Sequence, residues 1–118
     1  MKSPETVKAE ALALIRQAGD RGIHEGQILN AIFPPPAYPG KEAGTDAIDA
    51  WKAEHDEWAF KAYGGSKASD PDRQIEYRDT FAGICSGATV ELTKAGLIHE
   101  HNNGYASYSF TPIYANRN

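Results

Sequence analysis

The run His99-Glu100-His101 places two imidazoles on either side of a carboxylate. In a strand both rings would face the same side, which is half of a metal site. The remaining ligands would have to come from His24, His55, Cys85 or carboxylates, and the chain has neither a CxxC nor an HExxH run. Solvated strand side chains are the simpler reading, and neither metal nor cofactor is expected. His55 stands between Trp51 and Trp58 at helical spacing. That suits a buried pH-sensitive group, but a hydrogen-bonded histidine at the edge of a core explains it more simply. Cys85 is the one cysteine, and it falls on the apolar face of a helical run, where a thiol acts as a small hydrophobe. There is no GxSxG, no phosphate-cradling glycine loop and no nucleophile–base spacing. The expectation is a non-enzymatic protein.

The 118 residues fit one domain and suffice for one core without disulfides. A hydrophobic fraction of 41% and a charged fraction of 24% are ordinary for a folded chain. With no apolar run near the length of a membrane span, no apolar signal region behind Met1 and a single cysteine, the sequence predicts a cytoplasmic protein. Net charge is −4. Residues 1–33 carry four Lys/Arg and four Asp/Glu, residues 34–70 four and seven, and residues 71–118 four and five. No segment has a basic excess of the kind phosphate binding favours.

Helical and strand signals alternate along the chain. Ser3-Pro4-Glu5 reads as an N-cap, a first-turn proline and a first-turn acid. Val7, Ala11, Leu14, Ile15 and Ala18 then form one stripe, predicting a helix over 4–18. Asp20-Arg21-Gly22 is a turn and Ile23 suits a very short strand. A second helix starts at His24 or Glu25, carries Ile28, Leu29, Ile32 and Phe33, and stops at Pro34-Pro35-Pro36. After a loop through residue 44, a third helix begins near Thr45 with Ile48, Trp51, His55, Trp58 and Ala62 on one face. Asp70-Pro71-Asp72 has the signature of another helix start, predicting helix over 71–79. A further helix follows over 81–95, interrupted by Gly83 and Gly87. Gly96 ends it. Residues 97–101 and 105–110 then read as two strands around Asn103-Gly104, the pair that a type I′ hairpin turn requires. Leu14, Ile15, Ile28, Ile32, Leu92 and Leu97 are expected to be buried together.

The stretch Thr89-Val90-Glu91-Leu92-Thr93-Lys94-Ala95-Gly96-Leu97-Ile98 resembles the close of a winged helix-turn-helix recognition helix and its entry into the wing. Gly22-Ile23-His24-Glu25-Gly26-Gln27-Ile28-Leu29 is similar to the entry of that superfamily's second helix. The resemblance covers residues 5–33 and 80–111. It implies a mainly α fold with a small β-hairpin, a single winged-helix domain over 1–118 with an inserted loop and helix at about 34–69. It also implies double-stranded DNA as partner, with helix 81–95 in the major groove and Asn102–Gly104 along the backbone. A transcriptional regulator or an accessory protein of mobile DNA would fit.

Under that reading Arg78, Ser86, Thr89, Lys94, Asn102 and Asn103 are the candidate DNA contacts, with Lys2 or Lys8 helping from the first helix. The face is poor in cations, and Glu91 would repel phosphate. Dimerisation would double the contacts. The alternative is a protein-interaction module or an inhibitor, with Trp51, Trp58 and Tyr63 anchoring a protein partner. Asp46, Asp49, Glu54, Asp56 and Glu57 would then meet basic groups, although a solvated face explains them more simply. A positive stripe over helix 81–95 would favour DNA, and a neutral or negative one a protein.

Overall fold

The computed structural model of the chain describes residues 2–67, 70–101 and 106–111. Helix α1 (Pro4–Ala18) begins where Ser3 Oγ accepts from the Thr6 amide at 3.2 Å, and buries Val7, Ala11 and Ile15. Strand β1 (Ile23–His24) leads into α2 (Glu25–Ile32). His24 caps α2: its Nδ1 accepts from the Gly26 amide at 2.9 Å, while Gln27 Oε1 accepts from the His24 amide at 3.0 Å. This reciprocal pair satisfies two donors that a helix start leaves open.

Helix α3 (Thr45–Tyr63) follows the proline run. Its buried residues are Phe60 and Ala62, while positions 45–53 are exposed or half-buried, so it joins the body through its last turns. The described residues have a radius of gyration of 17.0 Å and extents of 59 × 35 × 25 Å. A compact chain of this length would measure about 13–14 Å. The excess is consistent with a helix held mainly at one end.

Strands β2 (Gly65–Lys67) and β3 (Asp70–Ile75) pair antiparallel as a separate two-stranded hairpin. The helix expected over 71–79 is therefore absent: that stretch is β3 followed by the short turn Tyr77–Asp79. Asp70-Pro71-Asp72 is a local signal of about 1 kcal/mol, and tertiary contacts outweigh it. Arg73 reaches Glu57 of α3 with two hydrogen bonds, 2.8 and 2.6 Å, and its guanidinium lies 4.7 Å from the Phe60 ring centre. Strand geometry turns Arg73 and Ile75 inward while Gln74 stays exposed. The segment separating α2 from the last helix consequently runs past residue 69, to the end of that turn.

Helix α4 (Phe81–Lys94) buries Cys85, Ala88, Thr89 and Leu92. Strands β4 (Ile98–Glu100) and β5 (Ser107–Phe110) follow, shorter than the 97–101 and 105–110 expected. With β1 they make a three-stranded antiparallel sheet in the order β1-β5-β4. The molecule is mainly helical, with this small sheet and the separate β2–β3 hairpin. The Asn103-Gly104 turn lies outside the described residues. One core joins α1, α2, α4 and β4 through Val7, Ile15, Ile28, Ile32, Leu92 and Ile98. Leu14 and Leu97, expected inside, are half-buried at its edge.

The two interior glycines of α4 do opposite things. A Cβ on Gly83 would run into the backbone carbonyl oxygen of Tyr77, whereas a Cβ on Gly87 would meet nothing within 4 Å. Gly83 lets the preceding turn lie against the first turn of α4, while Gly87 serves no such close approach among the described residues. Gly83→Ala should destabilise the protein by about 1–3 kcal/mol through overpacking. Gly87→Ala should stabilise it by up to ~1 kcal/mol by removing backbone freedom. Chemical denaturation of the two variants checks the opposite signs.

Candidate functional site

The outward side of α4 is the surface the fold leaves open. The helix starts at fully buried Thr80, whose Oγ1 accepts from the Gly83 amide at 2.9 Å and donates to the Tyr77 carbonyl at 2.6 Å. It ends where the Gly96 and Leu97 amides return to the carbonyls of Thr93 and Leu92. Between these ends Gly87, Val90, Thr93 and Lys94 are exposed along one stripe, with Ser86 half-buried beside them. A shallow cleft of about 320 Å³ separates this stripe from β4 and β5, with Val90 and Lys94 on one side and Glu100 and Tyr108 on the other.

The proposed contacts divide. Thr89, a candidate DNA contact, is buried: its hydroxyl donates to the Ser86 carbonyl at 2.9 Å, and Tyr108 lines the same cleft. It shares the inner face with Cys85, Ala88 and Leu92, which removes it from the candidate contacts. Lys94 is exposed and makes no ion pair among the described residues. Arg78 is exposed in the turn before α4, its Nε 2.9 Å from Glu76. Lys8 is held between Glu5 at 3.4 Å and Glu91 at 3.9 Å, and Lys2 binds Glu10 at 2.7 Å. Asn102 and Asn103 lie outside the described residues. Around the open face Lys94 is thus outnumbered by exposed Glu91 and Glu100, and these three described charges leave it slightly negative. The Tyr77–Asp79 turn also overlies the first turn of α4, leaving its middle and C-terminal half open.

The aromatic residues of α3 are largely committed within the chain. Trp51 Nε1 donates to the Pro36 carbonyl at 3.1 Å and Trp58 Nε1 to the Phe33 carbonyl at 2.9 Å, which straps the proline segment along the helix. Tyr38, Trp51, His55, Trp58 and Tyr63 follow one another at ring-centre separations of 5.0 to 6.0 Å. Tyr63 keeps 60% of its surface exposed. Glu57 leaves the acidic set to clamp Arg73, and Asp46, Asp49, Glu54 and Asp56 are exposed.

His99 and His101 go separate ways. His99 Nδ1 lies 2.6 Å from Thr111 Oγ1, whereas His101 Nε2 lies 3.0 Å from the Asp20 carbonyl and its ring rests against Gly22. Among the described residues no three His, Cys, Asp or Glu side chains gather as a metal would need. No helix among them is long and apolar enough to cross a membrane. Sequence reasoning missed the His24 cap, although Gln27 three residues on was its signal. It missed the Glu57–Arg73 clamp, for which no local pattern exists. No family model, curated protein or solved structure matches the chain.

Cys85 is fully buried on the inner face of α4. Burial, aided by the charge of Glu25, pushes its thiol from 9.0 up to about 11. An acid whose folded pKa is raised contributes stability below its unfolded pKa and loses it as the unfolded chain ionises first. Stability should therefore fall between about pH 9 and 11, by about 2 kcal/mol from this group. Tyr108, also raised by burial, adds to the decline. Melting curves across this range should show a shallower decline in Cys85→Ala than in the parent protein.

Proposed function

We propose that the chain is a winged-helix DNA-binding protein in which α4 reads the duplex. The observation that carries this reading is Gly87. A glycine in mid-helix sacrifices up to ~1 kcal/mol against alanine, and here a Cβ would meet no atom of another described element within 4 Å. It lies on an α4 stripe that is exposed among the described residues, between Ser86 and Val90. A missing side chain there lets the helix backbone come close to an external surface. The sheet order β1-β5-β4, with β4 and β5 following α4, supports the same reading, since it sets a two-stranded wing beside the helix. Among the described residues Lys94 is the cation on this side without an ion pair, and Arg78 flanks the helix start.

Few cations imply few phosphate contacts. Binding should be weak and its salt dependence shallow, consistent with roughly two to four phosphates per chain at a slope of about −0.9 each. Lys94→Glu should weaken binding to all duplexes alike, because a phosphate contact carries no base information. Gly87→Ala should raise stability yet lower affinity several-fold. Fluorescence anisotropy with mixed-sequence duplex over a salt series measures all three effects. Affinity unchanged in both variants would remove α4 from the interface.

One observation favours a different partner. The open face sets Glu91 and Glu100 against Lys94 and exposes 47% of Val90, which suits a protein surface better than a polyanion. Absence of binding to any duplex at low salt would establish that reading in place of the first.

A further inference from the structure

The cleft between α3, β3 and the start of α4 has a chemistry unlike the open face of α4. It encloses about 470 Å³, within the range of small-molecule sites. Phe33, Phe60, Ile75 and Phe81 wall it, and Lys2, Lys61, Arg73 and Asp79 stand around them. Phe33 and Phe81 stack with ring centres 4.2 Å apart and planes 2° from parallel, which fixes a flat aromatic edge. Arg73 is immobilised over Phe60 by its two bonds to Glu57.

The charges are unequal in availability. Lys2 is paired with Glu10 at 2.7 Å, and Arg73 with Glu57. Lys61 is exposed, and its acidic neighbour among the described residues is the same Glu57 at 3.9 Å, a carboxylate already held by Arg73 at 2.6 Å. Lys61 therefore offers a nearly unspent charge beside an aromatic wall. A neutral apolar molecule would leave that charge unused, and a cation would meet three like charges. A second, smaller cleft of about 350 Å³ shares Phe33, Lys61 and Phe81 with the first, but there Glu54 and Glu57 outnumber Lys61, so an anion is better placed in the larger cleft.

We propose that the larger cleft binds a planar aromatic monocarboxylate, with its ring against Phe33, Phe60 and Phe81 and its carboxylate at Lys61, directed away from Asp79. The site is independent of what α4 recognises. Its occupant would touch the last residue before the proline run and the first residue of α4, bracing the two ends of the inserted segment together.

The probe is 2-naphthoate, with uncharged 2-naphthamide as comparator, titrated into the ¹⁵N-labelled protein and followed by amide shifts. Naphthoate should give saturable shifts centred on Phe33, Phe60, Ile75 and Phe81, and bind more tightly than naphthamide. Lys61→Gln, an exposed and structurally mild change, should weaken naphthoate by about three- to fivefold, the range of a partly exposed ion pair. Asp79→Asn should tighten it by about twofold by relieving like-charge repulsion. Neither change should alter naphthamide binding. No saturable shift up to millimolar ligand, shifts centred elsewhere, or equal binding of acid and amide would each overturn the assignment. Because no DNA enters the measurement, its outcome is separate from that of the duplex reading.

Discussion

The stack of Phe33 on Phe81 holds this architecture together. The chain leaves the core at the end of α2, runs through a proline segment, a 19-residue helix and a hairpin, and must return to the same place to start α4. Closing so long a loop costs entropy that grows only slowly with its length, but the ends still have to be held. Two rings 4.2 Å apart do that at the point of departure and return. Trp58 reinforces the junction by donating to the Phe33 carbonyl. The fully buried hydroxyl of Thr80 fixes the other end. With this clamp in place, α1, α2 and α4 share a core in which Ile15, Ile28 and Leu92 meet, although a long segment separates α2 from α4.

The segment then serves two masters. Its C-terminal part folds against the body through Phe60, Ala62 and the Arg73–Glu57 clamp, and the clefts proposed and described above arise where it meets α4. Its N-terminal part keeps the aromatic face of α3 occupied with the chain's own prolines. Both indole donors are engaged there, so the surface Trp51 and Trp58 offer to any partner is smaller than their residue types suggest.

Much of the frame was legible in the sequence because it rests on local rules. Ser3-Pro4 started α1, the proline run stopped α2, and Gly96 marked the end of α4, each through a constraint on the residues in place. The fold class, mainly helical with a small antiparallel sheet, followed from those elements. The failures came where distant contacts decided. Asp70-Pro71-Asp72 carries a sound helix-start signal, yet Arg73 and Ile75 gain more from α3 as alternating strand residues than as one face of a short helix. Thr89 is polar and so reads as a candidate DNA contact, although it shares the helical spacing of Cys85, Ala88 and Leu92. Its hydroxyl, satisfied by the Ser86 carbonyl and by Tyr108, is what allows it inside. Of the candidate site, Lys94 and the glycine in mid-helix were visible, whereas the acidic balance of the surrounding face depended on where Glu100 would fall.

The placement of the tryptophans has a spectroscopic consequence. Both Trp51 and Trp58 sit on α3, and none lies in α1, α2, α4 or the three-stranded sheet. Intrinsic indole emission therefore reports on the strapped insertion, while far-ultraviolet dichroism is dominated by all four helices together. If the Phe33–Phe81 junction makes insertion and core one cooperative unit, the two signals will be lost at the same denaturant concentration. If the strap peels away first, emission will shift while most of the helical signal persists, and the gap between the two midpoints measures how strongly the clamp couples the arm to the body.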